Sequence, residues 1–203
     1  MAEKALVTAD CGRGESEPQK GGFSMKPSSV IGLLGALALA AGTLMAGSQA
    51  QAVTGDILCT VPSSDSSTYS PPLGLTPAST IVTITRDLNT CTSLSVPAIT
   101  SAPMTVHQVF IPSYSCLTLL STAATTISFT WDNGATSVVT GTRTVTLAAA
   151  AITTTVTGTV TSGLFAGDSV VYQLVGPSAD VIACTLGLGT VSRIDSVATL
   201  TIN

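Results

Sequence analysis

Beyond residue 52 this chain has no lysine and no glutamate, one histidine (His107) and one tryptophan (Trp131). Its only cations there are Arg86, Arg143 and Arg193, set against seven aspartates, a formal charge of −4. A nucleic-acid binder needs a cationic stripe that displaces counterions from phosphate, so nucleic acid is excluded as a partner. Attraction to an anionic membrane surface or an acidic partner is disfavoured for the same reason. Long low-complexity runs are absent and apolar residues are plentiful, which excludes a disordered chain.

Cysteine is sparse, and no pair among Cys11, Cys59, Cys91, Cys116 and Cys184 has the C-x-x-C spacing of a zinc or redox site. No cofactor or metal is expected. Catalytic inventory is poor as well. His107 stands between Val106 and Val109 and reads as a surface or edge-strand histidine rather than the base of a Ser-His-Asp set. Asp65, Asp87, Asp132, Asp168 and Asp180 lie in turn-like contexts, where an aspartate bonds its own backbone, so a glycosidase carboxylate pair is not read there. Calcium would need an Asp-x-Asp-x-Asp-Gly loop, and the sequence has none. Gly167-Asp168-Ser169-Val170 resembles the opening of a GDSL esterase block. In that family the serine comes early and a late histidine completes the site, whereas here no histidine follows. A turn before a strand is the better reading, and no catalytic residue is assigned.

Targeting information is present. Met25-Lys26-Pro27-Ser28-Ser29 is a short positive region, Val30 to Ala46 an apolar stretch of 17 residues, and Ala50 and Ala52 form a small-x-small pair. Residues 25–52 are therefore expected to be a signal peptide cleaved before Val53. Residues 1–24 are expected to be an upstream extension from a start assigned too early, with Met25 the true start. Residues 53–203 are then one secreted domain, extracellular, with no membrane attachment after cleavage. Its 151 residues suffice for a core.

Export leaves Cys59, Cys91, Cys116 and Cys184, an even number that implies two disulfides. The expected pairing is Cys91 with Cys116, around a single up-and-back excursion, and Cys59 with Cys184, joining an early strand to a late one.

Within the domain, period-two alternation with turn punctuation dominates. Ile127, Phe129 and Trp131 alternate with threonine and serine, and Asn133-Gly134 is a strong hairpin signal. A two-residue loop there would set Trp131 opposite Thr136 and Phe129 opposite Val138, with Trp131 buried beside Phe129 and Val138. Ile152, Thr154, Val156, Gly158 and Val160 alternate with five threonines. The flat threonine arrays of ice-binding proteins need several stacked copies, so this single strand reads as ordinary sheet surface. Further strands are expected at Asp56 to Val61, Ile81 to Arg86, Thr105 to Ile111, Arg143 to Leu147, Ser169 to Val175, Val181 to Leu186 and Val197 to Ile202. Ser63 to Ser70 and Pro71-Pro72 read as turn material. Apart from a single turn near Cys116 to Ser121, no helix is expected. The fold class is all-β: a two-layer antiparallel, immunoglobulin-like sandwich with two disulfides, a closed barrel being the alternative.

The run Ile127-Ser128-Phe129-Thr130-Trp131-Asp132-Asn133-Gly134 and the run Gly158 to Ser169, with the signal peptide and four mature cysteines, resemble small, uncharacterised secreted proteins of actinomycetes. That resemblance implies a β-rich exported domain and brings no catalytic residues. The function expected is a non-enzymatic extracellular or cell-surface binding or structural role with an unknown partner or ligand. The alternatives are a small-molecule carrier similar to enediyne apoproteins, which are also acidic Thr/Ala/Gly-rich sandwiches, and an enzyme inhibitor with its reactive loop within Ser63 to Thr76.

Overall fold

A computed structural model describes residues 56–203, Pro97 excepted. Residues 25–52, expected to be a signal peptide, with Ala50, Ala52 and Val53, and residues 1–24 lie outside the described residues.

The described chain is all-β with two short helices. In order it forms β1 (Ile57–Thr60), β2 (Ser64–Leu73), β3 (Ala78–Leu88), β4 (Thr90–Ser93), β5 (Ala102–Tyr114), α1 (Cys116–Leu119), β6 (Ala123–Thr130), β7 (Thr136–Leu147), β8 (Ala151–Gly163), β9 (Ser169–Pro177), α2 (Ala179–Thr185) and β10 (Val191–Ile202). Every ladder is antiparallel. One continuous path runs β5-β3-β2-β10-β9-β8-β7-β6. β1 and β2 lie end to end along the same side of β10, and β4 extends β3 along β1. The sheet is nearly barrel-shaped.

Alternation decides which side chains point inward. On β8 Ile152, Val156 and Val160 are buried while Thr157, Thr159 and Thr161 are exposed, the pattern of a half-buried strand. Two apolar clusters result. One gathers Ile57, Leu88, Ile99, Phe129, Trp131, Val139, Val160, Tyr172 and Leu200 around Cys59 and Cys91. The other gathers Tyr69, Leu73, Val82, Leu119, Ile152, Val181 and Val191 around Cys116 and Cys184.

Several expectations are corrected. Cys59 pairs with Cys91, and Cys116 with Cys184. The reason is topological: β4 returns beside β1, setting Cys91 directly across from Cys59 in register. Cys184 is not in a strand, because the segment from Val181 to Leu186 falls largely in α2, which buries Val181 and Cys184 one turn apart and meets α1. Ser63 to Ser70 is not a turn, since Ser64 onward forms β2, a strand paired on both sides. Pro71 and Pro72 are accommodated where the β2–β10 register slips between Thr68 and Leu73, so their missing N–H groups leave no ladder bond unmade. Of the stretch Ser63 to Thr76, only Ser63 and Gly74 to Thr76 lie outside β2.

The tryptophan hairpin is real but its register differs by one. Phe129 faces Ser137 and Thr130 faces Thr136. Gly134 N–H donates to the Trp131 carbonyl, Trp131 N–H donates to the Ala135 carbonyl, and Gly134 alone in the loop has positive φ. This is a three-residue loop ending in a glycine bulge, whereas the two-residue turn would need Asn133 at positive φ as well. Trp131 is buried beside Phe129 as expected, at 5.9 Å between ring centroids. Its neighbour from β7 in the core is Val139 rather than Val138. The single turn near Cys116 is α1, closed by a capping box between Ser115 and Thr118.

Candidate functional site

Between the two apolar clusters the curled sheet encloses a cavity of about 800 Å³. Its walls are inner-face residues of eight strands: Tyr69 from β2, Val82 and Ile84 from β3, Val109 and Ile111 from β5, Ile127 from β6, Arg143 from β7, Ile152 and Thr154 from β8, Leu174 from β9 and Ile194 from β10. The strand pattern supplies this lining, because every second residue must point inward.

The mouth follows from the topology. β5 pairs only with β3, and β6 only with β7, so no ladder joins these two edges among the described residues. They are nonetheless held side by side at both ends. At one end the chain passes through α1, which Cys116–Cys184 ties to α2, and Arg143 Nη2 donates to the Ser121 carbonyl at 3.1 Å. At the other end Asp132, just past β6, grips the segment leading into β5. Its Oδ2 accepts from Thr100 N at 2.9 Å, Thr100 Oγ1 at 2.6 Å and Ser101 N at 3.0 Å, and its own N–H donates to the Ser101 carbonyl at 3.0 Å. The Thr100 hydroxyl foremost, with these amides, holds the Asp132 carboxyl below its ordinary range. The seam is pinned at its ends and unpaired between them.

One polar cluster interrupts the apolar wall. Asp65 of β2 and Arg86 of β3 are cross-strand neighbours, and Tyr172 of β9 reaches them across the interior. Arg86 Nε donates to Asp65 Oδ2 and to Tyr172 Oη, both at 3.1 Å, and Tyr172 Oη donates to Asp65 Oδ2 at 3.0 Å. The guanidinium carbon also lies 5.4 Å from the Phe129 ring centroid and 5.2 Å from that of Tyr172. Burial pushes the Asp65 carboxyl up, opposed by the Arg86 charge and the two hydrogen bonds, and burial pushes the Tyr172 hydroxyl up as well.

His107 lines the rim of the cavity from β5, exposed and opposite Ile84. The cavity's carboxylate, Asp65, is engaged by Arg86 and Tyr172 rather than by His107. Gly167 and Asp168 lie in the turn before β9, with Gly167 at φ 104°, and Ser169 begins that strand. Among the described residues no three His, Cys, Asp or Glu side chains gather as metal ligands. No described helix is long and apolar enough to cross a membrane.

The Asp65–Arg86–Tyr172 cluster is hidden in the sequence, because the residues around Asp65 are those of a turn. The available signal is the alternation of β3, which puts Arg86 on one face with Val82 and Ile84. A cation on an apolar face requires a buried partner.

Comparison with family models, with curated proteins and with solved structures finds no match.

Proposed function

We propose that this is an exported, non-enzymatic protein that holds a small molecule inside its curled sheet, admitted through the β5–β6 seam. The observation that carries the reading is the cavity itself. Its volume, about 800 Å³, lies within the range of small-molecule sites, and its walls have the usual make-up of such sites: apolar side chains with a few convergent polar groups. A sheet that leaves one seam unpaired, pinned at both ends, supplies a way in without unfolding. The two disulfides fit an oxidising compartment and therefore the extracellular location.

Among the functions considered, the small-molecule carrier thus takes precedence over a purely structural surface protein. The architecture we favour for it is an open barrel, with its ligand enclosed, rather than an immunoglobulin-like sandwich. Absence of enzymatic activity is inferred from the same inventory: the one histidine stands at the rim, and the interior aspartate is tied up with an arginine.

Native mass spectrometry of the protein taken from culture supernatant tests the reading. A mass above that of the disulfide-bonded polypeptide, lost on collisional activation, is expected. The bare polypeptide mass throughout would favour the structural alternative.

A further inference from the structure

We propose that the ligand is an anion with an apolar body and one flat oxyanion head, a carboxylate being the simplest case, seated on the two Nη groups of Arg86. This inference rests on the cavity-binding reading and names the chemistry of its ligand.

Arg86 has 12% of its side chain exposed, and only its Nε has a hydrogen-bond partner among the described residues. No fully buried side-chain nitrogen or oxygen lacks a partner there, so the Nη groups open onto the space that Arg86 lines, which is the cavity. The fork is held in place from behind. Asp65 and Tyr172 fix Nε, and the rings of Phe129 and Tyr172 flank the guanidinium. A planar guanidinium fixed through Nε presents its remaining donors as a pair, the geometry that matches two oxygens of one carboxylate.

Charge distribution selects an anion over a neutral acceptor. The domain is acidic, yet two of its three arginines, Arg86 and Arg143, line the cavity, while six of its seven aspartates do not. Asp65 balances one arginine, and both the bonds it accepts fall on one oxygen. The interior is left with a net positive charge inside a negative shell. Asp65 keeps the fork in place while the cavity is empty, and the ligand head supplies the second counter-charge. The body of the ligand then runs along Ile84, Ile111, Ile127, Ile152 and Leu174.

Three probes of one chain length separate the possibilities: dodecanoate, dodecan-1-ol and dodecyltrimethylammonium, each titrated calorimetrically into the full secreted chain below its micelle concentration. Dodecanoate is expected to bind at least about tenfold tighter than the alcohol, the cation weakest, as a charge-assisted pair requires. In the double variant Asp65→Asn/Arg86→Gln, which keeps the net interior charge through Arg143 but removes the fork, dodecanoate should lose most of its advantage over the alcohol. Alcohol binding as tight as dodecanoate in the native chain would overturn the anion inference and leave the cavity reading standing. A preference for dodecanoate that is undiminished in the double variant would overturn the role of Arg86. Failure of all three probes to bind would overturn the cavity reading and this inference with it. Should the double variant not fold, the native series alone still decides between acid and alcohol.

Discussion

Gly141 and Gly158 stand directly opposite each other across β7 and β8, backbone against backbone with no side chain between them. A methyl group on Gly141 would collide with the Thr157 carbonyl oxygen, and one on Gly158 with that of Thr140. The pair sits on the inner face, between the facing pairs Val139–Val160 and Arg143–Val156. Glycine inside a strand often marks a tight bend or a close approach of two backbones, and the close approach is present here.

Substitution at that close approach is therefore expected to strain the fold. Gly158→Ala should lower stability by about 1–3 kcal/mol, the usual range for overpacking. Gly74→Ala, where an added methyl meets nothing within 4 Å, serves as the control. Its effect should stay within about 0.5 kcal/mol. Urea unfolding followed by Trp131 fluorescence measures both, and equal effects would contradict the crowding at Gly158.

Trp131 anchors the end of the curled sheet opposite the helices. Its ring is 1% exposed, lies edge-on to Phe165 at 5.9 Å, and its Nε1 donates to Ser137 Oγ at 2.8 Å. Ser137 passes the bond on to the Leu164 carbonyl at 2.6 Å. Trp131→Ala should lower stability by about 3–5 kcal/mol. Ser137→Ala should lower it by about 1–3 kcal/mol, because it leaves the indole N–H buried without an acceptor. Thermal unfolding of the two variants tests the order, and a smaller loss for Trp131→Ala than for Ser137→Ala would contradict it.

Non-reducing peptide mapping should return Cys59–Cys91 and Cys116–Cys184, and a Cys59–Cys184 peptide would refute the strand arrangement. The separations of 32 and 68 residues correspond to about 3.7 and about 4.4 kcal/mol of chain-entropy stabilisation. Removing Cys116–Cys184 by paired serine substitutions should thus be the more damaging change. It should also loosen the α1 end of the seam, seen as faster amide exchange in β5 and β6.

Acid should loosen the other end. Asp132 titrates below its ordinary value of 3.8 in the folded chain. A group with a depressed folded value contributes stability that is present above the unfolded value and is lost as pH falls through the folded one. Between pH 5 and pH 2.5 the native protein should lose this contribution, and Asp132→Asn should not. Comparing urea midpoints at the two pH values reads the difference. Equal losses in both proteins would show that Asp132 does not pin the seam.

Strands with alternating apolar and threonine residues were legible in the sequence: β3, β8, β9 and the Phe129 hairpin follow directly from side-chain period. β2 was not, because Ser64 to Pro72 contains the residues of a turn. Only pairing on both flanks, by β3 and β10, makes them a strand, and that pairing is long-range. α2 was hidden for a related reason. Val181, Ile182 and Cys184 suit a strand as well as a short helix, and the disulfide to Cys116 with burial of Val181 favours the helix. The site shared the fate of β2. Arg86 carried a signal on its own strand, but its partner Asp65 lay in the misread segment and Tyr172 is 86 residues away along the chain.

Fluorescence titration with N-phenyl-1-naphthylamine, a neutral apolar probe, tests the central claim most directly when run on the native chain and on Thr154→Phe. Thr154 lines the cavity from β8, and the added ring would fill part of it. The account predicts saturable enhancement with one probe per native chain, and its loss in Thr154→Phe at unchanged far-UV circular dichroism. No saturable enhancement in the native protein, or the same enhancement in both, would contradict an interior binding site.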